Sequence, residues 1–196
     1  MTREEITRHQ LGAATQLFID DSDAISVHCL ACSAAEHASF LAKQAGEATF
    51  NDHVQSAFPD RPIRDIRAIR NQDWVAIKHA RDNSGVPFDF PKALIGFDDT
   101  VNDHMLFVVW YDYSAAGLSL PIPAQVFQVW YYAMYPEKLS STGPDDVAVS
   151  IFGEIRKLNR RSQKRALKDK VAHFSKDAEL RSNPKTDLRP LLLSNN

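Results

Sequence analysis

Apolar positions along this chain recur mainly at helical spacing. Ile6, Leu11, Ala14, Leu17 and Phe18 trace one face of an amphipathic helix running to about Asp20. Thr2 is placed to cap its start, and Glu4 and Glu5 suit the positive end of the helix dipole. The acidic link at 20–23 breaks this helix. Ser22 or Asp23 then caps a second, AISVHCLACSAAEHASFLAKQ, which ends near Gly46. That segment is apolar or small almost all round, as expected of a central helix whose alanines admit close neighbours. A short helix over 50–58 stops at Pro59. Pro62 opens the next, with Ile63, Ile66, Ile69, Trp74 and Ile77 in phase. Asn71-Gln72-Asp73 interrupts the rhythm, so one straight helix and two with a break at Asp73 both fit.

Residues 82–91, with two prolines and a glycine, read as a turn-rich loop. Residues 98–116 read as a long helix, although the β-branched and aromatic content of 105–113 would also suit a strand. A helix begins at about Pro123 and ends before Pro136. Gly143-Pro144-Asp145 starts another, carrying Val147, Val149, Ile151, Phe152 and Ile155, which can run on into a basic segment. From Asn183 the chain reads as a mobile tail, with Leu191, Leu192 and Leu193 able to dock in a surface groove. The expectation is a single all-α helical bundle of six or seven helices over 1–155, followed by a basic helix and tail over 156–196.

Hydrophobic residues at 44% and charged ones at 24% of 196 are enough for a real core. Residues 2–10 are polar and form no apolar leader, and no apolar run approaches the roughly 18 residues of a membrane helix. Cys29 and Cys32, three apart, make a poor disulfide framework. A reduced, cytoplasmic protein without membrane contact is expected, with no cofactor. The net charge of −2 conceals an asymmetry. Residues 1–155 hold 11 Lys/Arg against 21 Asp/Glu; residues 156–196 hold 12 against 4. Such a chain either folds its basic end onto its acidic body or meets an anionic partner.

Four groupings could carry chemistry. In RNQDWVAIKH, residues 70–79, Arg70, Asn71, Lys78 and His79 stand beside Trp74, Val75 and Ile77. The plain reading is a solvated helix edge, with a Lys78–Asp82 pair at i, i+4. The sharper one joins Asn71, Lys78 and His79 to Glu36, which on a buried helix would need Arg70 or Lys78 as its partner. His28, Cys29, Cys32 and Glu36 share metal-ligand types, yet ordinary core packing explains the cysteines and no metal site is assigned. Asp98, Asp99, Asp103 and His104 could hold a divalent ion, or simply favour a helix start. Finally, residues 156–170 carry eight basic residues and one acid. On one helix Arg156, Arg160, Lys164 and Lys168 would form a cationic face for RNA or another anion, or answer the acidic body.

The helix ending in LF, the acidic link, SVHCLACSAAE, and RN followed by KHARD together resemble the HEPN superfamily over roughly residues 10–135. The resemblance implies a helical homodimer with a metal-independent, toxin-like RNA-cleaving site in which Arg70, Asn71 and His79 match the residue types. His79 would be acid or base and Arg70 or Lys78 the cation, with the second His supplied by the other copy. Eight residues separate Arg70 from His79. A regular helix sets them on opposite sides, and a loop at 71–73 would bring them together. The leading expectation is a helical binding or regulatory protein, homodimeric and cytoplasmic. The alternatives are an endoribonuclease of HEPN type and a nucleic-acid-binding module acting through 156–170.

Overall fold

In the computed structural model, residues 1–82, 84–89, 92, 94–138 and 145–193 are described. Thr2 and Glu5 close a capping box at the start of α1 (Arg3–Ile19), and Asp23 accepts the Ser26 amide at the start of α2 (Ala24–Gln44). Thr49 and Asp52 form a second capping box ahead of α3 (Phe50–Ala57). Then follow α4 (Ile63–Lys78), α5 (Val101–Ala115), α6 (Ile122–Met134), α7 (Asp145–Phe152), α8 (Arg160–Phe174) and α9 (Ala178–Ser182). Two short strands, β1 (Leu120–Pro121) and β2 (Thr186–Asp187), pair in parallel. Among the described residues, no helix is long and apolar enough to cross a membrane. The fold is all-α, as the spacing predicts.

Helix α2 is central. Its alanines 31, 34, 35, 38 and 42 are buried, letting α1 and α5 lie against it. Every residue from Met105 to Trp110 is buried in α5. Burial all round selects helix over strand here, because the backbone hydrogen-bonds internally without a partner strand. Phe18, Phe127 and Trp130 meet where α1 and α6 cross, Phe18 edge-on to both. Among the described residues, Trp130 Nε1, Gln10 Oε1 and Asp99 Oδ1 are buried without a partner, but other polar groups sealed in the core are paired. Trp110 Nε1 donates to Thr15 Oγ1 at 2.9 Å, and Thr15 donates back to the Leu11 carbonyl at 2.7 Å.

Three alternatives that the spacing leaves open are resolved. The helix α4 runs unbroken through Asn71-Gln72-Asp73. Asn71 Oδ1 accepts from Arg70 Nε at 3.2 Å, so this side chain is engaged by a side chain and does not compete for the backbone. The helix of 145–152 does not continue into the basic segment. Gly153, at φ +57°, ends it, a short turn spans Ile155–Lys157, and Asn159 caps a new helix. Gly143 and Pro144 lie outside the described residues, as do Asn83, Phe90 and Pro91 of the expected loop and the side chain of Ile69.

The third is the tail, where the docked alternative holds for Leu191. Residues 183–193 lie back on α1 and the turn between α5 and α6. Arg8, only 1% exposed, pairs through Nε with Asp187 Oδ2 at 2.8 Å. Its Nη2 donates to the carbonyl oxygens of Arg189 and Pro190 at 3.3 and 3.0 Å. Burial raises the pKa of Asp187, but hydrogen bonds from Arg189 and Arg8 outweigh it and hold the carboxyl at about 2. Leu191 is buried, and its carbonyl oxygen passes so near Gly12 that a Cβ there would collide with it. Gly12→Ala is therefore expected to lift the tail. Chemical denaturation should show a loss of about 1–3 kcal/mol. Limited proteolysis should cut residues 188–193 faster than in the unaltered chain.

Candidate functional site

Helices α2, α4 and α5 enclose a cleft of about 260 Å³. His28 enters from α2; Arg70, Gln72 and Asp73 enter from α4. Helix α5 contributes His104 above an apolar floor of Val101, Met105 and Val108. Larger depressions of about 370 and 540 Å³ flank α6, and one of about 360 Å³ lies between the end of α1 and α8. None of the three brings a cation and an imidazole together.

The cleft's groups differ in how far they are already engaged. Asn102 donates through Nδ2 to the Ala24 carbonyl at 2.9 Å, which turns Oδ1 toward His28 Nδ1 at 3.0 Å. That assigns the proton to Nδ1, leaving Nε2 to accept from the Cys32 thiol at 3.4 Å. Burial lowers the pKa of His28, opposed by the Asn102 bond, and pushes the Cys32 thiol up to about 12. Cys32, His28 and Asn102 thus form a chain of neutral groups, and the thiol is no nucleophile. His104 is held likewise. Its Nε2 accepts from Lys138 at 3.2 Å, its Nδ1 faces the Tyr131 hydroxyl at 2.9 Å, and burial together with Lys138 brings its pKa down to about 4.

Arg70 is different. Nε reaches Asn71, and Nη1 donates to Asn51 Oδ1 at 3.0 Å, but among the described residues no carboxylate lies within ion-pair distance. Burial lowers its pKa, partly offset by the more distant Asp112, yet a guanidinium keeps its charge. The cleft therefore carries a largely buried cation with N–H groups to spare.

The structure redistributes the residues expected at this site. Polar groups do converge between α2 and α4, but around His28 and Cys32 rather than Glu36. Glu36 is exposed on the outer face of α2 and acts on Arg70 only as a remote charge. Lys78 is exposed and sits over the Trp74 ring at 5.6 Å. Its expected partner Asp82 instead accepts the amides of Ser84 and Val86 in a turn. His79 is exposed at the C-terminal end of α4. With that helix unbroken, nine steps of about 100° put it half a revolution from Arg70. Asn71 stays beside Arg70. Within the chain, then, Arg70, Asn71 and His79 do not form one site.

The basic segment turns inward. Arg160 clamps Asp103 through Nη1 at 2.9 Å and Nη2 at 2.5 Å, and reaches Asp99 through Nε at 2.8 Å. Tyr135 donates to the same Asp103 at 2.6 Å. Burial opposes the charge on Arg160, but the two carboxylates prevail and hold its pKa above the ordinary value. Lys164, 2% exposed, bridges Asp99 at 2.6 Å and Asp21 at 3.1 Å, and Lys168 meets Asp20 at 2.7 Å. Arg156 is exposed and lies in the preceding turn, off α8. The four cations therefore do not make one outward face, and Asp99 and Asp103 are ligands for α8. Among the described residues, no group of three or more His, Cys, Asp or Glu is placed to hold a metal.

Sequence reasoning set His104 in an acidic cluster and His28 in a metal set, and passed over Asn102, Asp73 and Asp112. All but Asp73, which has no such partner among the described residues, act through a contact between elements that no local spacing encodes. Asp112 lies behind Arg70 and accepts the Phe50 amide at 2.7 Å, capping α3 from a distance. Burial raises its pKa to about 6, against the pull of Phe50 and Arg70. The folded chain thus holds this proton more tightly than the unfolded one, whose carboxyl titrates near 3.8. Its stabilising effect is full below that value and is lost as pH rises through about 6. Asp112→Asn keeps the acceptor and removes the titration. Between pH 4 and 8 the variant should gain on the order of 2–3 kcal/mol relative to the parent, read by thermal denaturation at each pH.

No protein family, curated protein or solved structure matches this chain.

Proposed function

We propose that this chain is a cytoplasmic binding protein that seats a small molecule by an anionic group against Arg70. One observation carries the reading. A largely buried guanidinium lines an apolar-floored cleft, and no carboxylate of the described residues neutralises it by contact. A buried cation without a direct counter-charge is costly, and an incoming anion would supply what is missing.

Binding is favoured over catalysis because His79 stands half a revolution from Arg70 on α4, and the two imidazoles that do line the cleft are already engaged. RNA cleavage of the HEPN type needs a free nitrogen to take a proton and a protonated one to give it. His28 and His104 have both nitrogens engaged, and burial keeps the rings neutral. The nucleic-acid reading is weakened because Arg160, Lys164 and Lys168 already face carboxylates.

The test is thermal denaturation of the parent and of Arg70→Gln with 4-methylpentanoate, L-leucine and inorganic phosphate. At least one of these should raise the parent's melting temperature and leave the variant's unchanged, circular dichroism reporting that the variant folds. No shift with any of them, or a shift that survives the substitution, overturns the reading. RNA degradation abolished by His79→Ala would favour the nuclease instead.

A further inference from the structure

We propose that the cleft takes a zwitterion: a small molecule of amino-acid type whose carboxylate meets Arg70 and whose ammonium meets Asp73, with an aliphatic side chain on Val101, Met105 and Val108. The inference rests on the reading of Arg70 as the anion anchor and adds a second, opposite anchor.

Asp73 is the observation that carries it. This side chain is 9% exposed and lines the cleft, yet it has no hydrogen-bond or ion-pair partner among the described residues. Its oxygens are not among the side-chain atoms sealed from solvent without a partner, so they open onto the cleft. Arg70, three residues earlier on the same helix, is the obvious candidate, since such positions lie side by side. The two do not pair, so each presents its charge separately to the space between α4 and α5.

Charge balance then selects the ligand. With both imidazoles neutral, the lining carries one positive group and one negative group. A simple anion gains Arg70 but approaches Asp73; a simple amine gains Asp73 but approaches Arg70. Only a molecule bearing both charges answers both, and at short range the difference is large. Size points the same way. About 260 Å³ is below the roughly 300–1,000 Å³ of clefts that take drug-sized ligands. The apolar floor asks for an unfunctionalised hydrocarbon side chain.

Isothermal titration of the full chain with three related probes tests this. They are L-leucine, its decarboxylated counterpart isopentylamine, and its deaminated counterpart 4-methylpentanoate. Leucine should bind saturably, and each single-charge probe should bind at least about tenfold more weakly. In Asp73→Asn the advantage of leucine over 4-methylpentanoate should vanish while the acid still binds. If 4-methylpentanoate binds the parent as tightly as leucine does, the zwitterion is wrong and the Arg70 anchor stands. If isopentylamine equals leucine, or if no probe binds in the millimolar range, the zwitterion falls, and the Arg70 anchor falls with it only if inorganic phosphate also leaves the parent's melting temperature unchanged.

Discussion

Asp103 is fully buried, and a carboxylate removed from water must be answered where it stands. Arg160 answers it with a two-pronged contact, Tyr135 adds a hydroxyl, and Asp99 links the cluster to Lys164 and hence to the end of α1. One ionic knot thus fixes α1, α5, α6 and α8 together. It is laid over aromatic faces, with Arg160 5.4 Å from the Phe18 ring and 5.6 Å from that of Trp130, and Lys164 4.4 Å from Phe18. Removing one member of such a cluster typically costs about 3–5 kcal/mol, because its partner is left charged and dry. The cleft depends on the same turn. His104 follows Asp103 on α5 and faces the cavity, so the knot also sets the position of one wall.

This arrangement explains the lopsided charge of the sequence. An acidic body and a basic C-terminal segment are the two halves of one contact. Their opposition was legible, because charge and four-residue spacing can be counted. The helix starts at Thr2 and Asp23 were legible as well, since capping is local chemistry. The alanine-rich face of α2 announced a central helix for the same reason.

What stayed hidden depends on which helix faces which. Glu36 and His28 sit eight residues apart on α2, and both were candidates for a buried polar role. Only packing against α5 decides that His28 meets Asn102, 74 positions along the chain, while Glu36 meets solvent. The Asn71-Gln72-Asp73 stretch leaves a break open because its residues favour turns. Arg70 absorbs Asn71 and the cleft absorbs Asp73, so the polar run becomes the lining of a cavity inside a continuous helix. Arg8 gave no sign of its burial, since its partner is Asp187 at the far end of the sequence.

That last pairing spans 179 positions and closes nearly the whole chain into a ring. Joining such distant points requires most of the intervening polypeptide to be ordered first, or the loss of chain freedom is uncompensated. The contact raises the average sequence separation of native neighbours, which slows folding relative to a bundle of local hairpins. It also couples the two ends: α1 reaches its final environment only once residues 187–191 are seated. Fraying at either terminus therefore exposes a charged group at the other, so the two ends should loosen together.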